Sequence, residues 1–182
     1  SPPEFEISGE SQYNYFGTKM KKLDFNGDGI EDLAIAAYGA DSYVGAVYIF
    51  DGSYQVTFPR LREDASGARW KLAGPSGGSS TYFGTDFYIG DVNGDGAHDV
   101  LVGAPYAQVY NESSGRMDYG VGAAYLFYGG AFRESGSSTI SASNANASFY
   151  GVESYRYFAK AVGLGDIDGD GFDEVFISRY SY

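Results

Sequence analysis

Cysteine is absent from this 182-residue sequence, and histidine and tryptophan occur once each. The lack of cysteine excludes a disulfide framework and a thiol nucleophile, and it leaves the redox compartment undetermined. One histidine cannot form the ligand cluster of a catalytic zinc site, and the Gly-x-Ser-x-Gly motif of serine hydrolases does not occur. These absences leave little basis for catalysis, so we expect a protein that is not an enzyme.

Basic residues are also few, because 12 Lys and Arg against 24 Asp and Glu give a formal net charge of -12. Nucleic-acid binding depends on clusters of Lys and Arg, and the basic residues here are scattered. No apolar run approaches the roughly 18 residues of a membrane span, and residues 1–4 do not resemble a signal peptide. We expect neither nucleic-acid binding nor membrane insertion, and interpret the sequence as a processed or excised segment.

Glycine and aromatic residues, in contrast, are abundant, with 27 Gly, 18 Tyr and 13 Phe. Long stretches with helical periodicity are missing, and short apolar runs rich in β-branched residues alternate with glycine turns. A chain of this length can bury a sizeable core as one domain. The composition predicts an all-β fold of many short strands.

A nine-residue acidic motif occurs three times. The stretch Asp91–Asp99 carries oxygen-bearing side chains at positions 1, 3, 5 and 9 and a glycine at position 6. Asp24–Asp32 repeats this pattern upstream, and Asp166–Glu174 repeats it downstream with glutamate at position 9. In chain order these stretches are called loop 1, loop 2 and loop 3. The rest of the sequence is organised around them.

Calcium fits this pattern, because Ca²⁺ takes six to eight oxygen ligands with flexible geometry. The backbone carbonyl at position 7 would add a ligand, and the glycine at position 6 permits the sharp turn. A solvated turn rich in Asp, Asn and Gly is the alternative for any single copy, but three copies in register favour three calcium sites. The predicted ligands are Asp24, Asn26, Asp28, Ile30 and Asp32 in loop 1; Asp91, Asn93, Asp95, Ala97 and Asp99 in loop 2; and Asp166, Asp168, Asp170, Phe172 and Glu174 in loop 3.

The EF-hand, which has a similar acidic rhythm, does not fit. Its loop closes on a glutamate at position 12 and is flanked by helices. Position 12 here is Ile35, Val102 or Ile177, and each loop is followed by a short apolar run typical of a buried strand. Each loop is therefore interpreted as the turn of a calcium-bound β-hairpin, in which His98 is expected to be a solvated side chain.

The loops belong to a longer repeat, since their starts lie 67 and 75 residues apart. Strand A runs from an aromatic Tyr-Phe pair and a following small residue to the loop, and strand B follows the loop. Strand C has the pattern Gly-Ala-x-Tyr-x-Phe at 45–50 and 122–127, and strand D ends in glycine at Gly9, Gly74 and Gly151. Four strands per repeat indicate the blades of a β-propeller. The glycines of strand A are predicted to allow close backbone approach at the axis.

The second repeat carries a family resemblance. Its Tyr-Phe-Gly, Asp-Val-Asn-Gly-Asp-Gly-x-x-Asp, Gly-Ala-Pro and Gly-Ala-x-Tyr-x-Phe motifs resemble the FG-GAP repeat of integrin α-subunit propellers. The propeller region of glycosylphosphatidylinositol-specific phospholipase D is similar. The outer repeats depart from the pattern, with Ala36-Ala37-Tyr38 for Gly-Ala-Pro in the first and Phe158-Ala159 for Phe-Gly in the third.

The resemblance implies a seven-bladed propeller, of which this chain holds about two and a half blades. Residues 1–9 would form the outer strand of a preceding blade, 13–74 blade 1, 80–151 blade 2, and 155–182 the first two strands of blade 3. Aromatic residues that alternate along strand C are predicted to fill the space between blades: Tyr48, Phe50, Tyr125 and Phe127. Because exposed strand edges need covering, the remaining blades of the same parent or other protein chains are expected to complete the ring.

The candidate recognition site is residues 106–121, the connection between strands B and C of blade 2. It is predicted to be a loop on the face opposite loops 1 to 3, because successive connections of a blade emerge on alternate faces. Tyrosine and arginine are typical interface anchors, so the partner-binding candidates are Tyr106, Tyr110, Arg116 and Tyr119. A variable glycosylated surface loop is the alternative, since Asn111 begins an Asn-x-Ser sequon, as does Asn146 outside this connection.

We therefore predict a calcium-binding propeller segment of a secreted or cell-surface protein that acts in adhesion or protein–protein assembly. The extracellular location is inferred from the sequons and from loops of the weak-affinity type that fills where calcium is plentiful. Two alternatives stay open: the accessory propeller region of a secreted phospholipase or other hydrolase, and a carbohydrate-binding propeller. The ligand would then be a protein or a glycan.

Overall fold

Short β-strands make up nearly all of the regular structure. The structure, a computed structural model, describes residues 6–53, 63–76, 80–132, 136 and 138–180. Parts of the predicted first strand (residues 1–5) and of blade 3 (181–182) lie outside these residues. No helix in the described ranges is long and apolar enough to cross a membrane. The strands are β1 (Ile7–Ser8), β2 (Phe16–Leu23), β3 (Asp32–Ala37), β4 (Ala46–Phe50), β5 (Glu63–Asp64), β6 (Trp70–Ala73), β7 (Asp86–Gly90), β8 (Asp99–Ala104), β9 (Val109–Asn111), β10 (Arg116–Asp118), β11 (Ala123–Phe127), β12 (Ser138–Ser141), β13 (Ala147–Tyr150), β14 (Val162–Gly165) and β15 (Glu174–Ile177).

The strands form successive antiparallel sheets that correspond to propeller blades. The first sheet contains β2, β3, β4 and β6 as its strands A to D, and the second contains β7, β8, β11 and β13 in the same roles. The pair β14–β15 begins a third sheet. Among the residues that the structure describes, helical structure is limited to a four-residue turn, α1 (Ala40–Tyr43), and three single 3₁₀ turns (Ala65–Gly67, Gly130–Phe132 and Ala142–Asn144). This architecture confirms the all-β, partial-propeller fold.

The first sheet has a fifth strand that the sequence analysis missed. Strand β12 comes from the second repeat, yet it pairs in parallel with β6 of the first sheet, placing Ser138 opposite Trp70 and Ser141 opposite Ala73. Strand β5 pairs in parallel with β1 in the same way. The prediction of four strands per unit was therefore incomplete, because short polar segments such as Ser138–Ser141 have no apolar alternation to mark them as strands.

The start of strand A also differs from the prediction in two repeats. Phe83-Gly84 and Phe158-Ala159 lie in turns before β7 and β14 rather than within the strands. The backbone turns at this point because Tyr82 and Gly84 both have positive φ, 55° and 87°. The left-handed backbone conformation favours glycine at both Gly17 and Gly84. Close approach adds a second reason at Gly84 only, since its added Cβ would lie 2.9 Å from the carbonyl oxygen of Ala46, whereas a Cβ added to Gly17 would meet nothing within 4 Å.

A continuous apolar core joins the first two sheets. Trp70 and Leu72 from the first sheet and Phe83, Phe87 and Phe127 from the second are fully or almost fully buried in it. Of the strand C aromatics, Tyr125 and Phe127 lie in this core as predicted, whereas buried Tyr48 and half-buried Phe50 belong to a separate cluster with Ala46 and Phe16. Burying each large side chain stabilises the fold by about 1.5–3 kcal/mol. This core fixes the position of one sheet relative to the next.

The glycine that begins strand C lets adjacent sheets approach closely. A Cβ added to Gly45 would lie 2.0 Å from the carbonyl oxygen of Phe83, and one added to Gly122 would lie 2.1 Å from that of Phe158. Both glycines also have positive φ, 92° and 83°. The backbone of each repeat therefore passes directly over the Phe turn of the next repeat, which only glycine permits.

Substitution of Gly122 by alanine should accordingly destabilise the chain. The added methyl group overlaps the Phe158 backbone, and such overpacking costs about 1–3 kcal/mol beyond the strain of a left-handed residue. Gly115→Ala is the matched control, because Gly115 also has positive φ (65°) but its added Cβ would have no neighbour closer than 3.9 Å. Urea unfolding of both variants checks this, and equal losses of stability would contradict the close-packing explanation.

Candidate functional site

The three acidic loops occupy equivalent places in the three sheets. Loop 1 joins β2 to β3, loop 2 joins β7 to β8, and loop 3 joins β14 to β15. Each loop thus connects strands A and B of its sheet, at the same end of each blade. Equivalent side chains therefore occupy equivalent positions along the three turns.

The carboxylate at position 1 organises the turn of each loop. In loop 2, Asp91 accepts hydrogen bonds from the backbone N–H groups of Gly94 (2.8 Å) and Gly96 (3.0 Å). In loop 3, Asp166 accepts from Gly169 (2.7 Å) and Gly171 (3.0 Å). Loop 1 is similar, although its Asp24 accepts from Asp28 (3.0 Å) and Gly29 (2.8 Å).

Positions 3 and 5 hold the middle of the loop in the same way. The Asn93 side-chain oxygen accepts the backbone N–H of Asp95 (3.0 Å), and an Asp95 carboxylate oxygen accepts that of Ala97 (2.9 Å). Corresponding bonds occur in loops 1 and 3. In these turns the side-chain oxygen accepts a backbone N–H group two residues further on, as in Asx turns. The side-chain oxygens therefore point toward the centre of a tight loop.

The carboxylate at position 9 is buried in loops 1 and 2. Asp99 is 0% exposed and Asp32 is 2% exposed. One oxygen of Asp99 accepts the N–H of Val92 (2.9 Å), and the other accepts the N–H of Gly129 (3.1 Å). Burial raises the pKa of both carboxyl groups to about 6, although their backbone hydrogen bonds oppose the shift. The buried carboxylates are therefore sites where a nearby cation would favour the charged form.

Glycine after strand C is a structural part of the site that the sequence analysis missed. Gly52 donates its N–H to Asp32 (2.9 Å) as Gly129 does to Asp99. A Cβ on Gly52 would lie 2.0 Å from the carbonyl oxygen of Glu31, and one on Gly129 would lie 2.2 Å from that of His98. The recurrence of glycine two residues after both strand C segments is the signal that could have revealed this contact.

Loop 3 brings three acidic groups together. Carboxylate oxygens of Asp166, Asp168 and Glu174 lie within 4.8 Å of one another. Within the described ranges, this is the one group of three or more acidic, histidine or cysteine side chains with metal-binding spacing. Loops 1 and 2 have an asparagine at position 3, so they place fewer carboxylates in the corresponding position. The predicted ligand Asp170 lies outside the cluster.

Hydrogen bonds link each loop to the loop of the next repeat. The backbone N–H of Asp24 donates to Nδ1 of His98 (2.8 Å), and the His98 N–H donates to the Asp24 carbonyl (2.7 Å). Asp91 and Asp173 repeat this pair, with Asp91 N–H donating to the Asp173 carboxylate (2.8 Å) and Asp173 N–H donating to the Asp91 carbonyl (3.0 Å). The expectation for His98 was thus incomplete, since its exposed ring joins two repeats. In loops 2 and 3, the residue at position 8 is therefore hydrogen bonded to the residue at position 1 of the preceding loop.

Replacement of His98 should test this link. His98→Ala removes the acceptor for the Asp24 N–H, and a lost hydrogen bond of this kind costs about 0.5–1.5 kcal/mol. His98→Asp should retain most of the stability, because Asp173 makes the same contact in the next repeat. Urea unfolding in saturating calcium compares the variants. If His98→Asp is as unstable as His98→Ala, the side-chain link is not responsible.

The opposite end of the sheets carries a β-hairpin and a row of tyrosines. Strand β8 separates loop 2 from this end by six residues, or roughly 20 Å. The connection predicted as a loop is instead partly the antiparallel hairpin β9–β10. At its base the Tyr106 ring lies 4.7 Å from that of Tyr82 and 4.9 Å from that of Tyr157, measured between centroids. Tyr38 extends the row beyond Tyr82 at 5.9 Å.

The partner-binding candidates lie on or beside this hairpin. Tyr110 is 59% exposed and Tyr119 54% exposed, and Tyr106 and Arg116 are also exposed. Both sequon asparagines make hydrogen bonds through their side chains. The Asn111 amide donates to Asp118 across the hairpin (2.8 Å), while the Asn146 oxygen accepts from the Tyr128 N–H (2.9 Å).

Comparison with known families gives one match. The model of the FG-GAP repeat matches residues 16–50 and 83–127. These segments run from the Tyr-Phe turn through loops 1 and 2 to the end of strand C in the first two sheets.

Similar proteins include integrin α subunits and phospholipases. Integrin alpha-PS5 of Drosophila melanogaster is 33% identical over 179 residues, which cover 93% of this chain and 15% of that protein. Integrin alpha-4 of Xenopus laevis is 28% identical and covers 97% and 15%. Phosphatidylinositol-glycan-specific phospholipase D of Homo sapiens is 31% identical and covers 84% and 17%. The chain spans less than a fifth of the length of these relatives.

Proposed function

Since this chain carries FG-GAP repeats and its relatives include integrin α subunits, we propose that it is a calcium-binding propeller segment of an extracellular or cell-surface protein. Its role is adhesion or protein–protein assembly, and it has no catalytic activity of its own. The observation that carries this proposal is the threefold acidic loop, held in one conformation at equivalent places in three sheets.

The donor set of these loops suits a hard divalent cation. Side-chain oxygens at positions 1, 3, 5 and 9 are carboxylates or amides, and Ca²⁺ binds such oxygens together with backbone carbonyls. The three acidic groups of loop 3 repel one another at separations within 4.8 Å, so a cation would relieve the repulsion. The residues that would hold calcium are those at positions 1, 3, 5, 7 and 9 of each loop.

Calcium in these loops would have a structural role. Position 9 fastens the loop to the end of strand C through Gly52 or Gly129. Position 8 fastens it to the loop of the preceding repeat. A cation that orders the loop therefore stabilises contacts within a blade and between blades. A single histidine and the absence of cysteine agree with a non-catalytic role.

The tyrosine-bearing face is the proposed recognition surface. Exposed aromatic residues on a rigid scaffold are typical of protein interfaces, and the hairpin presents Tyr110, Met117 and Tyr119 in exposed positions. This face is separated from loops 1 to 3 by the length of the strands. Binding and calcium-dependent stabilisation can thus be tested independently.

Deletion of residues 108–118 should impair binding without loss of stability. The deletion removes the hairpin but leaves buried Ala107 and Val121, whose neighbourhood is closed by a hydrogen bond from the Gly122 N–H to the Ala107 carbonyl (3.1 Å). Attachment of cells to a surface coated with the chain, in millimolar calcium, measures binding. The expected result is a large loss of attachment with an unchanged melting midpoint.

The double variant Tyr110→Ser/Tyr119→Ser tests the exposed rings alone, because it removes them and keeps the hairpin backbone. It should lose attachment as the deletion does. Full attachment by both variants would show that the hairpin is not the recognition site. If cells treated with glycosidase still attach to the unaltered chain, a protein ligand is favoured over a glycan.

The similarity to phospholipase D supports a second candidate, the accessory propeller region of a secreted hydrolase. Flanking sequence separates the two: an adjacent zinc-binding domain rich in His and Asp would favour the hydrolase, and adjacent β-sandwich domains with a membrane span would favour the integrin type. A carbohydrate-binding propeller is the third candidate, and a glycan array tests it.

A further inference from the structure

Two short segments of the chain each leave their own repeat and pair with a strand of the preceding one. We name them strap 1 (residues 63–67) and strap 2 (residues 138–144). Strap 1 lies between strands C and D of the first repeat, yet it pairs in parallel with β1, placing Asp64 opposite Ser8. Strap 2 lies between strands C and D of the second repeat and pairs in parallel with β6, placing Ser141 opposite Ala73.

The straps also end in the same way. The Asp64 side chain accepts the N–H of Ser66, and the Ser141 hydroxyl accepts the N–H of Ser143. Each cap begins a single 3₁₀ turn whose first residue is a buried alanine, Ala65 or Ala142. The chain then enters strand D of its own repeat. The strap is therefore a repeated structural motif, and its sequence pattern is Ser or Asp followed by Ala-Ser.

Strand β13 is the third strand D in the chain, after β1, which pairs with strap 1, and β6, which pairs with strap 2. Its terminal glycine, Gly151, aligns with Gly9 and Gly74 of the two covered strands, and the three glycines face equivalent atoms, the Cβ of Phe158, Phe16 and Phe83. In the described part of the chain, β13 is hydrogen bonded to β11 on one side only. Its other edge corresponds to the edge that β12 covers on β6.

Apolar side chains beside this edge are less covered than those beside β6. Phe25, at position 2 of loop 1, packs against Trp70 of β6 and is fully buried, whereas Val92, at position 2 of loop 2, is half-buried. Tyr150, at the end of β13, and Val152, just after it, are exposed. An uncovered strand edge next to exposed apolar groups is a site for strand addition.

We propose that the free edge of β13 binds a parallel strap strand donated by a following FG-GAP repeat. The two internal precedents fix its register: the capping Ser or Asp lies opposite Tyr150, and the residue two positions before it lies opposite Ser148. Strand addition of this kind draws its affinity from main-chain hydrogen bonds. The inference goes beyond calcium binding and adhesion, because it assigns a partner strand to a separate surface.

A peptide with the strap 2 sequence, residues 138–145, provides the probe. Because the chain has no cysteine, a Ser148→Cys variant carries a single thiol beside the edge. In the proposed register a peptide with Thr139→Cys forms a disulfide with it, whereas a peptide with Ile140→Cys does not, since a shift of one residue moves the side chain to the other face. A Ser113→Cys variant in the hairpin is the protein control and should not crosslink.

Hydrogen exchange of the unmodified chain gives an independent readout. Peptide that fills about 90% of the sites should slow exchange of the outward-facing β13 amides by about tenfold, by mass action. A Ser138→Pro peptide should protect less, because it lacks the N–H that Ser138 donates to the Arg69 carbonyl (2.9 Å) in the chain itself. Equal crosslinking by both cysteine peptides, unchanged exchange, or coverage of β13 by a second copy of the chain would overturn the proposal.

Discussion

Removal of calcium with a chelator is expected to lower the melting midpoint of this chain by on the order of 10 °C. Loops of this affinity class have dissociation constants of roughly 0.1–1 mM, so about 10 mM calcium stabilises each occupied site by about 1.4–2.7 kcal/mol. For a chain of this size each kcal/mol shifts the midpoint by about 2–4 °C. Thermal melting in chelator, and again after addition of excess calcium, measures the effect.

The control for this prediction is a carboxylate outside the loops. Asp118 lies on the hairpin, where it accepts a hydrogen bond from Asn111, so Asp118→Asn should keep the full calcium-dependent shift. Asp166→Asn should reduce it, because Asp166 occupies position 1 of loop 3. A midpoint that does not change on chelation would count against structural calcium in all three loops.

The second large effect is expected for Asp99→Ala, which should destabilise the chain even in the absence of calcium. The substitution leaves the N–H groups of Val92 and Gly129 without their acceptor in a buried site. Each buried unsatisfied group costs roughly 1–3 kcal/mol, which gives a total of about 2–6 kcal/mol for the two groups. Asp99→Asn should be intermediate, because one amide oxygen replaces two carboxylate oxygens.

Asp95→Ala separates this effect from calcium binding. Asp95 is exposed, and it accepts hydrogen bonds from Asn93 and Ala97 of its own loop. Both variants should lose calcium affinity, but urea unfolding in chelator should show a large deficit for Asp99→Ala and a small one for Asp95→Ala. Equal stability of the two variants in chelator would contradict a separate structural role for Asp99.

Local sequence patterns were sufficient for the acidic loops and the strands beside them. All the predicted side-chain ligands of one loop lie within nine consecutive residues, so their spacing alone predicts one turn with converging oxygens. The strands that follow are apolar and rich in β-branched residues, as in Val100-Leu101-Val102, and this composition predicts a buried strand. The family match to residues 16–50 and 83–127 agrees with the resemblance inferred from these motifs.

The contacts between repeats were not predictable in the same way. The hydrogen bonds of Asp24 with His98, the Gly129–Asp99 contact and the pairing of β12 with β6 all join residues far apart in the sequence. A polar segment such as Ser138–Ser141 has no local preference for a strand, and it becomes one because the edge of β6 offers unpaired backbone groups.

The sequence by itself thus determined the turn chemistry, the all-β composition and the repeat, since each depends on residues that are neighbours along the chain. The tertiary structure alone decided which repeat each strap covers, which loop His98 contacts and which carboxylate is buried. These depend on how one sheet packs against the next, and that arrangement is set by the aromatic core and by the glycines that allow close backbone approach.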